Sequence, residues 1–397
     1  MNSKLEKFVR YVKIDTQSDD TSTTVPSSEK QKNLGLVLVN ELHELGLKDA
    51  HMDEFGNVYG HLPGKGSRIG LVAHMDTALE VTGANVRPHL ITNYLGGTIC
   101  LDNGLKMNPE RFVKLKKHVG HDLVITDGNT LLGADDKAGV AIIMNVLQHF
   151  HDHPEEKHST ICVAFTCDEE IGRGATHFDY QTMNAKYAYT IDGADINLIE
   201  CETFNAYKAV VHITGLSVHP GEGKDRLVNA IKIAGDFIDA LPEKETPFYS
   251  SGKEGFFHLT RISGDSENAT ITMILRDFKE KGMVRRFQIL KDAADAMRNK
   301  YPAAKIVVDF NKQYENMKPY IMKKPMAVRR AKAVIKKNGL EPVIASIRGG
   351  TDGADLSSHG LICPNLGTGS YYHHGRFEFL DVQEFEKMID IVTDIVR

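Results

Sequence analysis

Three apolar runs in this chain stop abruptly on side chains that bind metals or move protons. RIGLVA ends at Ala73 and is followed by His74-Met75-Asp76; ICVAFTC ends at Cys167 and is followed by Asp168-Glu169-Glu170; KYAYTI ends at Ile191 and is followed by Asp192. Short β-rich apolar runs set between helical patterns read as buried strands. A further acidic pair, Asp135-Asp136 in LLGADDKAG, stands just before an apolar helix expected over 137–150, and His373-His374 come late, in GTGSYYHHG. In an open α/β sheet the ends of the strands converge on one crevice, where ligands bind. The fold must therefore bring these five segments to one place.

The rest of the chain supplies the elements for such a sheet. Leu5, Phe8, Val9 and Val12 fall on one face of a first helix, a polar loop covers 17–28, and a second helix runs over about 29–45. Strands are expected at 57–61, 69–73, 123–126, 161–166 and 187–191. Strands alternating with helices argue for an α/β sheet with helices on both faces. The pattern changes after Glu202: strand 207–214, helix 227–241, strands 256–263 and 269–277, helix 283–300, strand 305–310. That β-α-β-β-α-β order is the one of a ferredoxin-like unit. From about Tyr314 the first pattern resumes, with helices at 326–337 and 382–396. The organisation read from this is an α/β catalytic domain with a mixed sheet, residues 1–203 and 316–397, interrupted by a ferredoxin-like α+β lid, residues 204–315.

Composition narrows the function classes. With 48 Lys+Arg against 53 Asp+Glu, the formal net charge of -5 excludes a strongly basic nucleic-acid binder. No apolar run approaches the ~20 residues of a membrane helix. The first residues lack an unbroken apolar stretch, so no signal peptide is expected. Five cysteines, odd in number and without a CxxC pair, fit a reduced, cytoplasmic protein.

The residue types at the strand ends suit zinc, whose usual ligands include imidazole and carboxylate. In extended backbone, residues i and i+2 point the same way, so Asp76 can hydrogen-bond the ring of His74 and fix its tautomer. Two zinc ions use every group: one takes His74, Asp135 and Asp192, the other Asp135, Glu170 and His374, with Asp135 bridging. Three carboxylates against two Zn²⁺ leave one positive charge, which a hydroxide would neutralise. Without metal, two carboxylates about 4 Å apart repel by roughly 4 kcal/mol at an effective dielectric near 20. Taken singly, each motif has a plainer reading: a helix N-cap for Asp135 or Asp136, a helix N-terminus for the DEE run, a turn for Asp192.

These motifs resemble the peptidase T family of the co-catalytic di-zinc exopeptidases. The match runs along almost the whole chain, through YVKIDTQS, VPSSEKQ, AHMDT, DGNTLLGADDKAG, FTCDEEIGRGATHFD, YTIDG, VHPGEGK, EGFFHL, ILRDF, RGGTDGA and CPNLGTGSYYHHGRFEF. The resemblance implies the ligand set above, Glu169 as general base, Asp76 as auxiliary catalytic residue, a cis peptide between Asp135 and Asp136, and release of the N-terminal residue from tripeptides. Two departures stand out. Cys167 takes the place where the family usually has Pro, and two histidines stand where it tends to have Tyr-His; His374, next to Gly375, aligns with the ligand.

The resemblance also makes His219, in LSVHPG, a lid donor to the substrate oxyanion; a turn histidine before Pro220 is the alternative. Selection of short peptides needs a group that reads the substrate carboxylate. Arg276 and Arg348 are candidates, because a guanidinium fork fits a carboxylate bidentately; a surface pair with Asp277 and a loop cation are their alternatives. A short peptide is thus the expected partner, with a homodimer through the lid left open. Hydrolysis of dipeptides or of N-acyl amino acids would use the same ligands, and a non-catalytic peptide-binding protein would be marked by loss of Glu169 or of a ligand.

Overall fold

The computed structural model describes residues 3–397. The chain forms two compact units: residues up to Cys201, Met317–Ala345 and Thr351–Arg397 make the larger, and Glu202–Asn316 with Ser346–Gly350 the smaller.

The larger unit is built on an eight-stranded mixed sheet, in the order His51–Met52, Val58–Leu62, Thr160–Thr166, Arg68–His74, Tyr187–Ile191, Asn365–Leu366, Leu198–Glu200 and Val343–Ala345. Its centre is parallel: His74 lies beside Thr166, and Val72 beside Thr190. The three runs singled out in the sequence are therefore neighbours that point the same way. The helix Ala134–Asp152 packs against Arg68–His74 and Tyr187–Ile191, and is itself covered by the helices Ser3–Val12 and Val382–Val396. This explains why it is apolar all round, with Val140, Ile142, Ile143, Val146 and Leu147 fully buried. On the other face, Val72, Cys162, Ala164 and Ala188 pack with Phe178, Met183 and Leu356. GADDKAG carries two glycines for geometric reasons. Gly133 takes φ +77, and a Cβ on Gly139 would lie 1.8 Å from the Ile191 carbonyl oxygen.

One expected strand sits elsewhere. Leu123–Ile125 joins His89–Ile91, Ser370–Tyr371 and Phe379–Asp381 in a separate four-stranded sheet. Its side chains Leu123 and Ile125 pack with Phe112, Tyr371 and Phe379, a small core that a short apolar run cannot announce.

The smaller unit is a four-stranded antiparallel sheet, ordered Phe256–Gly264, Asn268–Asp277, Asn205–Thr214, Lys305–Tyr314. The strand order 2-3-1-4 with helices Ala230–Asp239 and Glu280–Lys300 is the ferredoxin-like arrangement. Alternate residues Ala209, Val211, Ile213, Ile271, Met273 and Leu275 turn to Ile233, Phe237 and Leu290 of the helices. Ser346–Gly350 belongs to this unit although the sequence reading placed it in the larger one. The reason is Arg348, whose guanidinium donates to the carbonyls of Gly252 (2.7 Å) and Glu254 (2.9 Å) and to Ser250 Oγ (2.9 Å). Among the described residues, no helix is long and apolar enough to cross a membrane.

Candidate metal centre

The parallel strands deliver their carboxyl ends together, and each contributes side chains there. His74 closes the strand Arg68–His74 and is buried. Its Nδ1 lies 3.1 Å from the Asp76 carbonyl oxygen and 3.3 Å from Asp76 Oδ1, while Nε2 lies 3.0 Å from Asp135 Oδ1. The Asp76 carboxylate also accepts from the backbone N–H of Glu169 and Glu170 (3.1 Å each) and from the Ser18 hydroxyl. One buried carboxylate thus orients the ring of His74 and pins the turn after the strand Thr160–Thr166.

Asp135 and Asp136 depart from helical backbone at the start of Ala134–Asp152, and the peptide between them is cis, as the resemblance implies. Asp135 Oδ2 stands 3.3 Å from His374 Nε2, which in turn stands 3.1 Å from Glu170 Oε2. Asp135 therefore faces a histidine with each oxygen. His373 also borders the site, with Nδ1 3.4 Å from Asp135 Oδ2, but its Nε2 is taken up by Ser370 Oγ at 2.8 Å. His74, Asp135 and Glu170 bring ligand atoms within 4.8 Å of one another, and so do His74, Asp136 and Asp192. Asp136 has a further task, accepting from the backbone N–H of His74 (3.2 Å) and Gly139 (3.1 Å), which makes it a helix cap as well as a neighbour of the site.

The electrostatics call for a cation. If Nδ1 of His74 donates to Asp76, the lone pair on Nε2 meets the Asp135 carboxylate head-on, which is repulsive unless a proton or a metal lies between. Burial pulls the His74 ring down, but its bonds to Asp135 and Asp76 outweigh this and hold its pKa well above the ordinary value. Burial, then the Asp135 charge, pushes Glu170 up to about 11 and Asp192 up to about 6, and burial raises Glu169 well above the carboxylate range. Glu170 Oε1 is buried with no hydrogen-bond partner. A native fold rarely leaves such an atom unsatisfied. The set of imidazoles and carboxylates, with one oxygen unclaimed, fits a divalent metal, whose binding replaces the protons.

The comparisons with known proteins agree with this chemistry. The model of the family "Peptidase family M20/M25/M40" matches residues 121–397. Peptidase T of Desulfitobacterium hafniense is 45% identical over 403 residues, covering 100% of this chain and 98% of the relative. Peptidase T of Bacillus subtilis is 43% identical, with coverages of 99% and 97%. The chain belongs to peptidase family M20/M25/M40, and within it groups with the peptidase T proteins. It is a metallo-exopeptidase. Solved structures share its fold: aminopeptidase PepT of Bacillus cereus superposes with a TM-score of 0.77 at 22% identity over 99% of this chain and 97% of the other. A tripeptidase of Staphylococcus aureus gives 0.78 at 22% identity, covering 99% and 96%. A dinuclear metal-binding M20 peptidase of Bacillus subtilis gives 0.65 at 12% identity, again covering 99% and 96%.

The three substrate candidates all lie in the smaller unit. His219 is exposed, and its Nδ1 accepts from the N–H of Gly221 at 3.2 Å, capping the turn Pro220–Glu222. Arg276 is half-buried, donates to the carbonyl of Leu275 (3.0 Å) and stacks 5.4 Å from the Tyr314 ring. Arg348, besides its bonds to the 250–254 loop, lies over Phe204 at 5.2 Å.

Three buried acids have roles that the sequence does not announce. Asp168, the first of the DEE run, accepts from Ser27 N (2.7 Å) and Gln31 Nε2 (2.6 Å), which accounts for VPSSEKQ as its partner motif. Asp352 accepts from Thr166 Oγ1 at 2.6 Å and is pushed by burial to about 7. Glu378 takes three backbone N–H groups at 2.8–2.9 Å. The Cys167 departure also has a physical counterpart: its N–H donates to Asn57 Oδ1 at 3.1 Å, a bond proline cannot make.

Proposed function

We propose that this chain is a cytoplasmic aminopeptidase that releases the N-terminal residue of tripeptides, using two Zn²⁺ per subunit. His74, Asp135 and Asp192 would hold one ion, Asp135, Glu170 and His374 the other. The observation that carries the reading is the meeting of His74, Asp135, Glu170 and His374 from four separate segments, with the Asp135 and Glu170 carboxylates within 4.8 Å of each other and Glu170 Oε1 unclaimed. The tripeptide preference draws on full-length likeness to peptidase T proteins and on the fold shared with a tripeptidase. The cytoplasmic assignment draws on five free cysteines.

Metals at such a site act as Lewis acids, lowering the pKa of water and polarising a peptide carbonyl. The chain's own residues do the rest. Glu169, with Oε2 4.0 Å from His74 Nε2, accepts the proton of the attacking water and hands it to the leaving amine, as a general base that turns general acid. Asp76 keeps His74 in the tautomer that presents Nε2, and holds Glu169 and Glu170 by their N–H groups. His219 donates to the substrate oxyanion, and Arg276 or Arg348 reads the substrate carboxylate. Association of two copies through the smaller unit belongs to the same reading; its edge strand Phe256–Gly264 exposes Leu259 and Ile262.

The test is a panel of di-, tri- and tetrapeptides and N-acetyl amino acids, assayed with zinc and after chelation. Tripeptides should be cleaved fastest, from the amino end, and chelation should stop the reaction. Faster turnover of dipeptides or N-acetyl amino acids would replace this substrate class; undiminished turnover by metal-free protein would remove the metals.

A further inference from the structure

Glu378 is a buried carboxylate whose two oxygens are taken up by main-chain amides. Its Oε2 accepts from the backbone N–H of Leu132 and of Gly133, both at 2.8 Å, and its Oε1 accepts from the N–H of Asp135 at 2.9 Å. The residue is 1% exposed. Three amides converge on one anion because Gly133 takes φ +77, a conformation open to glycine at little cost. The result is an anion nest in the main chain, filled by the protein's own carboxylate rather than by a ligand. The last of the three amides belongs to Asp135, whose side chain faces His74 with one oxygen and His374 with the other.

We infer that Glu378 is a positioning residue for the metal centre: by gripping the 132–135 main chain it sets where the Asp135 carboxylate sits between the two histidines. This rests on the proposed metal-holding role of Asp135. A carboxylate can accept all three N–H groups, whereas an amide in its place must turn its NH₂ towards one of them, donor against donor. Outer-shell partners of metal ligands commonly matter by about 10–100-fold in metal affinity. Because Asp135 faces both histidines, the loss should fall on both ions.

The experiment compares wild type, Glu378→Gln and Gly133→Ala by competition for Zn²⁺ with a chromophoric chelator, alongside the melting temperature of each metal-free protein. Gly133→Ala approaches the nest from the other side, since a Cβ there would be strained at this φ and would press on Thr77 Cγ2 at 3.3 Å. The expected result is a zinc dissociation constant raised about 10–100-fold in both variants, larger than any change in the metal-free melting temperature predicts. Should Glu378→Gln fail to fold, Gly133→Ala carries the comparison alone. Zinc affinity within twofold of wild type in every folded variant overturns the inference while leaving the metal reading intact. A wild type that holds no zinc against the chelator overturns both.

Discussion

Each unit of this molecule gathers a cluster of charged side chains, and the two are built on opposite principles. In the smaller unit, Asp277 and Glu245 meet Arg285 and Arg286: Arg286 Nη1 reaches Asp277 Oδ2 at 2.5 Å and Nη2 reaches Glu245 Oε2 at 3.1 Å, while Arg285 grips both oxygens of Glu245 at 2.6 and 2.8 Å. Two negative charges face two positive ones. In the larger unit Asp76, Asp135, Glu169, Glu170 and Asp192 gather around His74 and His374, with carboxylates far in excess. The first cluster balances its charges as the chain makes it, although Arg286 Nε is buried without a hydrogen-bond partner; the second is balanced only by protons or metal. Acidic clusters are common, and the lesson is that the imbalance, not the clustering, marks the functional one.

Two substitutions should separate the clusters most sharply. Glu169→Gln keeps the shape of the side chain but cannot take a proton from water. We expect a fall in kcat of about 10²–10⁴-fold with zinc content and melting temperature unchanged. A kcat near normal at saturating zinc would take the proton-transfer role from Glu169. Arg286→Ala does the reverse. It strands Asp277 without its partner, and removing one member of a buried pair typically costs about 3–5 kcal/mol. Denaturant unfolding followed by intrinsic fluorescence should show that loss, with zinc affinity of the folded protein untouched. If Arg286→Ala also weakened zinc binding, the two clusters would not be independent. Arg285, with its side chain 56% exposed, should matter far less when truncated, by about 0.2–1 kcal/mol.

The arginine candidates for the substrate carboxylate come next in size. Arg348 is already committed to the 250–254 loop through four acceptors, so Arg348→Ala should cost stability and hurt all substrates alike. Arg276→Ala should reduce kcat/KM on a free-acid tripeptide by about 2–4 kcal/mol, the value of a partly buried charge-assisted contact, and on the matching amide by much less. Equal losses on acid and amide for both variants would mean that neither arginine reads the carboxylate.

What could be read in the sequence was whatever depends on local pattern. The ferredoxin-like order is visible because each strand alternates, as in 205–214, and each helix keeps its apolar stripe. The HMD, DEE and IDG segments were legible because three strands end on them in the same way. The hidden parts depend on contacts between distant residues. Nothing near Glu378 says that it will fill a nest 243 to 246 residues away. Asp168 shares its acidic run with Glu169 and Glu170, and nothing in the run says that it braces Ser27 and Gln31. In the sequence Arg348 reads as a candidate for the substrate carboxylate, with a loop cation as the alternative, and only the chain's return to the smaller unit shows its acceptors. Leu123–Ile125 is apolar enough for the main sheet, and what assigns it to the second sheet is pairing with Phe379–Asp381.

The smallest expected effect tests the balanced cluster through pH. The hydrogen bonds from Arg285 hold the Glu245 carboxyl below its usual range, against the opposing effect of partial burial. A carboxylate whose pKa is lower folded than unfolded stabilises the fold fully above its unfolded value, about 4.3, and loses that contribution as pH falls through the folded value. Other carboxylates titrate in the same range, so the wild-type curve alone cannot isolate it. Glu245→Gln can, because the amide has no proton to gain. The two proteins should differ in unfolding free energy by about 0.5–1 kcal/mol near pH 6, the scale of a partly exposed pair. The difference should shrink below about pH 4 as wild-type Glu245 is protonated and comes to resemble the variant. High salt should shrink it at every pH, since a quarter of the Glu245 side chain and over half of the Arg285 side chain face solvent. Two curves that run parallel from about pH 6 down to about pH 3 would show that the Glu245 charge adds nothing, and that the smaller unit's cluster is held by the Asp277–Arg286 pair alone.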